Sequence, residues 1–190
     1  MGRVSQAQAR ENRERVVRTA SRLFREQGTH ISVADLMKAS GLTHGGFYKQ
    51  FASKEALIDE ATAHAFGELA QRREAALERA AEQGVEQGAA AQRALIDAYL
   101  SVEHRDNAAD GCPTAALAHD MAREPGADGA HRVYTEGVRD FAGWLATDDE
   151  DGIARLCTML GALVLARATK DSPLSEEILA AARAALTEAG

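Results

Sequence analysis

At 190 residues, with 45% apolar and 27% charged side chains, the chain has the composition of a globular protein of one or two domains. Its two cysteines, Cys112 and Cys157, are too few for a secreted disulfide framework and form no metal-ligand spacing. The most apolar run, Ile153 to Ala168, contains Arg155 and is closed by Arg167 and Lys170, so it cannot serve as a bilayer span; a cytoplasmic protein without cofactor or metal is expected.

β-branched and aromatic residues are sparse, apolar–polar alternation is missing, and Ala, Leu, Glu and Arg dominate, which predicts an all-α fold. The net charge of −7 divides unevenly. Residues 1–52 carry +5 and the remainder −12, the balance of a module that approaches phosphate on a body that should not.

Residues 1–9 read as a polar arm, either a free tail or a segment whose Arg3 reaches a phosphate or the minor groove. A helix follows from Arg10 to Gln27. Val16, Ala20, Leu23 and Phe24 form its apolar stripe, while Arg15, Arg18, Arg22 and Arg25 lie opposite. With Glu11 and Glu14 spaced to pair with Arg15 and Arg18, that basic stripe is expected to be mostly a solvated face.

Ser32, with Asp35 three residues on, is a helix-start signature. Val33, Leu36 and Met37 give the short helix an apolar face, and Ser40-Gly41-Leu42 supplies a tight turn. Thr43 opens a second short helix. Two short helices about a glycine-containing turn describe a helix-turn-helix, whose second helix enters the DNA major groove. Gly45 and Gly46 each cost roughly 1 kcal/mol of helix propensity, so their presence implies a surface kept bare. A helix start without side chains turns its free N–H groups and positive dipole end toward base edges and phosphates. His44 and Lys49 flank that patch, and Tyr48 and Phe51 are placed to pack back on the preceding helices.

Ser53 caps a long helix to about Glu82, with Leu57, Ile58, Ala61, Ala65, Leu69 and Leu77 inward; at that length it must serve both domains. Lys54 in its first turn opposes the dipole, a place where a cation gains from a nearby phosphate. Turns are expected at Gly84–Gly88, Asp106–Gly111, Pro125–Gly129, Thr147–Gly152 and Asp171–Pro173. They separate five helices: Ala89–Glu103, Pro113–Arg123, Ala130–Ala146, Ile153–Lys170 and Ser175–Ala189. The fourth is apolar nearly all round and must be covered all round, by its own chain or by a second copy. The surface of Cys157, Leu160, Gly161, Leu163 and Val164, joined by the last helix, is the candidate homodimer face.

The motifs Ser32-Val-Ala-Asp-Leu36, Gly41-Leu-Thr43, Gly45-Gly-Phe-Tyr-Lys-Gln-Phe51 and Ser53-Lys-Glu-Ala-Leu57 resemble the TetR family of bacterial transcriptional regulators over roughly the first third of the chain. Met37 stands where the family usually has a small residue, and Gln50 replaces a common His. The resemblance implies about nine helices: an N-terminal three-helix helix-turn-helix DNA-binding domain (residues 1–52) and a C-terminal ligand-binding and dimerisation domain (residues 53–190). It implies pairing through the last two long helices and DNA contacts from Ser32, Thr43, His44, Gly45, Gly46, Tyr48, Lys49 and Lys54. It also implies a cavity for a small-molecule effector. Tyr99, Leu117, Met121, Tyr134, Phe141 and Trp144 are its candidate lining, and each of them would equally serve as core.

No catalytic arrangement survives inspection. Cys112 and His119 share a helix face but sit about 10 Å apart along it, too far for activation. Cys112 precedes Pro113 at a helix start, where the dipole favours thiolate, so it is either a redox or electrophile sensor, as in some TetR-like proteins, or an inert thiol. The expected function is a repressor that binds a palindromic operator as a homodimer and is released by an effector. Alternatives are an activator of the same fold, a small helical enzyme using Cys112, and a helical adaptor without salt-dependent DNA affinity.

Overall fold

The computed structural model describes residues 6–82, 87–123, 128–148 and 151–187. The arm residue Arg3, the turn residues Gly84 and Pro125, residues 149–150 and the terminal Ala189 of the last expected helix lie outside the described residues.

The described residues form nine α-helices and one 3₁₀ helix, with no strand among them. Helix α1 (Gln6–Gln27) starts earlier than expected, because the Gln8 amide bonds Glu11 and Asn12 at 3.1 and 3.4 Å and carries the polar segment into the first turns. Its stripe of Val16, Ala20 and Phe24 is fully buried. Helix α2 (Val33–Ala39) is capped as its sequence predicts, with Asp35 N–H donating to Ser32 Oγ at 3.1 Å. Gly41 then turns the chain at φ 70°, a conformation other residues adopt at a cost. Helix α3 (Lys54–Glu82) is capped by Ser53, whose Oγ accepts from Ala56 N–H at 3.1 Å.

The expected helix Ala89–Glu103 is two: α4 (Gln87–Tyr99) and α5 (Val102–Asp106). Ser101 breaks it by acting as an N-cap, accepting from His104 N–H at 3.1 Å and donating to Ala98 O at 2.8 Å. Arg105 then pins α5 to the last helix through Ser175 Oγ (2.9 Å), and Arg167 holds its carbonyls from α8. Helices α6 (Pro113–Arg123), α7 (Asp128–Leu145), α8 (Gly152–Ala168) and α9 (Leu174–Thr187) follow the expected spans to within a few residues.

Two apolar clusters organise the chain. One joins α1, α2, the 3₁₀ helix and the start of α3, and draws in Leu117 and Met121 of α6 and Ala130 of α7. The other packs α4, α7, α8 and α9 around Phe141, Leu145, Met159 and Leu163. Helix α3 contributes Leu57, Ile58 and Ala61 to the first and Leu69 to the second; at 29 residues it is about 43 Å long. It passes close to α7 where Gly137 faces Phe66: a Cβ there would collide with the ring.

Candidate nucleic-acid interface

The second element of the helix-turn-helix is a 3₁₀ helix, His44–Lys49, rather than the expected short α-helix from Thr43. Thr43 occupies the N-cap position but makes no side-chain cap bond, and two successive glycines remove most of the α preference. What fixes the segment is Phe47. Its ring is 0% exposed, lies 5.4 Å from the Phe51 ring and belongs to the first apolar cluster. The buried pair is therefore Phe47 with Phe51, and Tyr48, expected to pack inward, is 68% exposed with its edge on Phe47 at 5.1 Å. A residue later in the helix points the opposite way.

Around that anchor the surface is as bare as the glycines suggest. A Cβ on Gly45 would meet nothing within 4 Å, and one on Gly46 would meet only Met37 Cε at 3.5 Å and Thr43 Oγ1 at 3.8 Å. Met37, the unusually large residue, is fully buried beneath this spot. Ser32, Thr43, His44, Gly45, Tyr48 and Lys49 are exposed, and Gly46 and Lys54 half-exposed. The segment thus offers an open helix start, an aromatic hydroxyl and a cation on one stretch, the donor set that suits phosphate oxygens and base edges. Gln50 turns its side-chain oxygen inward, where it finds no protein partner; its backbone carbonyl accepts from Arg13 Nε at 3.3 Å, and Arg13 also pairs with Glu60 and lies 4.7 Å over Phe51.

The basic stripe of α1 is not simply solvated. Arg25 is buried, its guanidinium donating to Ser21 O (3.1 Å), Gly111 O (3.1 Å) and Glu68 (2.7 Å). Arg22 pairs with Asp110. The expected pairing of Glu14 is also displaced, to Arg10 at 3.0 Å. Thr29 N–H donates to Asp120 at 2.8 Å, so α6 and the segment before it are bonded to α1 and the turn after it at three points.

A cavity of about 610 Å³ opens between α3 and α4, closed at one end by α5 and the segment Asn107–Cys112. Tyr99 is the one proposed lining residue that borders it, joined by Cys112. Leu117 and Met121 instead fill the first cluster with Tyr134 packed against it; Phe141 lies in the second, with Trp144 against it. Tyr134 donates its hydroxyl to Thr114 O at 2.7 Å, and burial pushes its pKa up to about 12. The wall is lined by Leu69, Ala76, Ala94, Leu95 and Ala98, with Arg72, Arg79, Ser101, Glu103, His104, Asn107 and Asp110 supplying polar groups. The missed signal is Ala76 between Arg72 and Arg79 at helical spacing: one small residue opposite Ala94 and Ala98 leaves space between two helices, with an arginine on either side.

His104, not His119, is the histidine beside Cys112. Its Nδ1–H faces Tyr99 O at 2.7 Å and its Nε2 accepts from Cys112 N–H at 3.2 Å. Burial, offset by the Tyr99 bond, holds its pKa below the usual histidine value. Asp120 is engaged by Thr29, and among the described residues no group of three or more His, Cys, Asp and Glu side chains is placed to hold a metal. Nor is any described helix long and apolar enough to cross a membrane.

The face on α8 also differs in detail. Cys157 and Gly161 are exposed, Leu160 half-buried and Val164 47% exposed, but Leu163 is 0% exposed in the protomer's own core and cannot join them. Leu165 (56%) and Ile153 (63%) are the large apolar side chains of α8 left exposed with Val164, while Leu156, Met159 and Leu163 turn inward at helical spacing.

Residues 16–61 match the family model described as bacterial regulatory proteins, tetR family. No curated protein matches. Among solved structures, a TetR transcriptional regulator from Chloroflexus aurantiacus superimposes with a TM-score of 0.76 at 24% identity, covering 96% of both chains. The reduced form of E. coli NemR does so with 0.72 at 19%, covering 94% of this chain and 96% of that one. AibR in complex with isovaleryl coenzyme A and operator DNA gives 0.64 at 15%, covering 93% and 98%. Residues 16–61 thus carry the helix-turn-helix of the tetR family, on a chain whose all-α fold is shared along its length with solved TetR-type regulators.

Proposed function

We propose that the chain is a homodimeric repressor whose operator affinity is lowered by a small molecule bound between α3 and α4. The single observation that carries the DNA-binding part is the 3₁₀ helix held from below by Phe47, with Gly45 open to solvent and Tyr48 and Lys49 projecting beside it. Residues 1–52 act as the DNA-binding unit and 53–190 as the ligand-binding and dimerisation unit, with α3 shared. Thr43, Tyr48, Lys49 and Lys54 contact phosphates, Ser32 supports the start of α2 at the same surface, and His44, Gly45 and Gly46 meet base edges. The exposed apolar stripe of α8, Ile153, Val164 and Leu165 with Cys157 and Gly161, supports pairing with a second copy.

Release follows if the ligand favours a state in which α3 carries the two DNA-facing modules out of register. AibR, bound to a coenzyme A thioester and operator DNA, is a neighbour in which both kinds of partner meet on this fold. The test is selection of bound fragments from genomic DNA, followed by titration of the selected fragment with the Tyr48→Ala, Lys49→Ala double variant. Undiminished binding by that variant would sink the reading.

A second reading attaches to Cys112. Its thiol is buried in the cavity wall beside the Tyr99 hydroxyl, where a small electrophile entering the cavity would meet it. Loss of DNA binding on treatment with an alkylating agent, abolished by Cys112→Ser, is the expected result; an unchanged response in the variant rules it out.

A further inference from the structure

The hydrogen-bonding groups at the closed end of the cavity are unbalanced. Its acceptors are already engaged: Asn107 Oδ1 accepts from Asp110 N–H, Ser101 Oγ from His104 N–H, His104 Nε2 from Cys112 N–H, and the Asp110 carboxylate pairs with Arg22. The donors are not. Arg72 spends one N–H on Asp110 O at 2.7 Å and keeps the rest of its fork, and Arg79, two turns along the same wall, has no ion-pair partner among the described residues. The Tyr99 side chain is 6% exposed and its hydroxyl meets no hydrogen-bond partner of good geometry. Burial, with the Cys112 sulfur beside it, raises its pKa well above the ordinary tyrosine value, so it is an O–H donor at any physiological pH. Glu103, on α5, is the one remaining acid of the lining, and its side chain is exposed.

The buried donor without a partner is the Tyr99 hydroxyl, which is costly to leave unmatched; Arg72 and Arg79 are exposed along the wall and add positive charge to it, so together they select a ligand that brings acceptors. The rest of the wall is hydrocarbon, from Leu69, Ala76, Ala94, Leu95 and Ala98. We infer that the cavity takes an anionic amphiphile, a carboxylate on a hydrocarbon body, with the carboxylate between the Tyr99 hydroxyl and Arg72 and the body lying along the alanines of α3 and α4. This rests on the ligand-responsive reading above and names the chemistry of its ligand. A fork-shaped guanidinium matches a carboxylate in a way it cannot match an alcohol, and it repels an ammonium.

The experiment uses the full-length chain and three ten-carbon probes, decanoate, decanol and decylammonium, each below its aggregation concentration, with binding measured by calorimetry. Decanoate is expected to bind at least roughly tenfold more tightly than either congener, a factor a single charged hydrogen-bonding pair supplies. Arg72→Gln is expected to remove about that factor, and Tyr99→Phe a smaller part of it, without changing decanol binding. Equal affinity for the three probes, absence of decanoate binding, or an unaffected Arg72→Gln variant overturns the inference. Operator binding by the same samples is scored separately. If decanoate fails while DNA still binds, only the ligand class falls; if DNA does not bind, the regulator reading falls whatever decanoate does.

Discussion

Arg25 of α1 donates to Glu68 of α3 at 2.7 Å with only 1% of its own side chain exposed. The same guanidinium holds the Gly111 carbonyl at the edge of the cavity, so one buried cation joins the helix-turn-helix module, the long shared helix and the segment that borders the cavity. A buried cation that loses its partners is costly, and partners that lose the cation are left half-satisfied. Glu68 is about one-third exposed, which moderates the loss on its side. Arg25→Met is expected to lower stability by about 2–4 kcal/mol and Glu68→Gln by less than half of that, measured by urea denaturation. A loss under about 0.5 kcal/mol for Arg25→Met would show the contact to be dispensable.

Gly45 and Gly46 separate stability from function. Because a Cβ on Gly45 meets nothing, Gly45→Ala is expected to leave the urea midpoint unchanged or to stabilise by up to about 1 kcal/mol. If the open helix start is the surface that meets DNA, the same change weakens operator binding by roughly tenfold or more. Stability and affinity falling together would show instead that the glycine serves the fold.

Lys49 is exposed, so its role should be purely electrostatic. Lys49→Ala is expected to leave stability within about 0.5 kcal/mol and to reduce the slope of log affinity against log salt by about one per protomer. A steep salt dependence that the substitution does not alter would remove Lys49 from the interface.

Val164 and Leu163 are neighbours in sequence with opposite surroundings, 47% and 0% exposed. Val164→Glu is expected to turn a dimer into a monomer by sedimentation with little change in protomer packing. Leu163→Ala, which empties a core position, is expected to cost about 2–5 kcal/mol. If Val164→Glu remains dimeric at micromolar concentration, the α8 face is not the pairing surface.

His104 gives a pH dependence whose sign follows from burial. Its folded pKa lies below the unfolded value of about 6.5, so near pH 7 both states are neutral at this site and the fold pays nothing for it. As the pH falls below the unfolded value, protonation favours the unfolded chain, and stability is lost until the folded pKa is reached. The difference in stability between pH 7 and pH 5.5 should therefore be larger in the parent chain than in His104→Gln. Equal slopes would show that the imidazole is not held neutral.

Much of the architecture can be read from the chain alone, and for local reasons. Ser32 and Ser53 cap their helices, Gly41 turns the chain, and Val16, Ala20 and Phe24 repeat at helical spacing, because each of these signals acts over a few residues of backbone. The exposure of Thr43, His44, Gly45 and Lys49 follows likewise from glycine-rich, polar sequence. What only the tertiary structure decides are choices of partner. Arg25 looks like part of a solvated basic stripe until Gly111 and Glu68, 86 and 43 residues away, arrive beside it. Leu163 and Leu165 are alike in sequence, and only the packing of α7 and α9 sends one inward and leaves the other outside. The cavity lies where Ala76 faces Ala94 and Ala98, a void made by what two consecutive helices lack once they fold against each other. Periodicity tells a helix which side to bury; it carries no information about what will be buried against it.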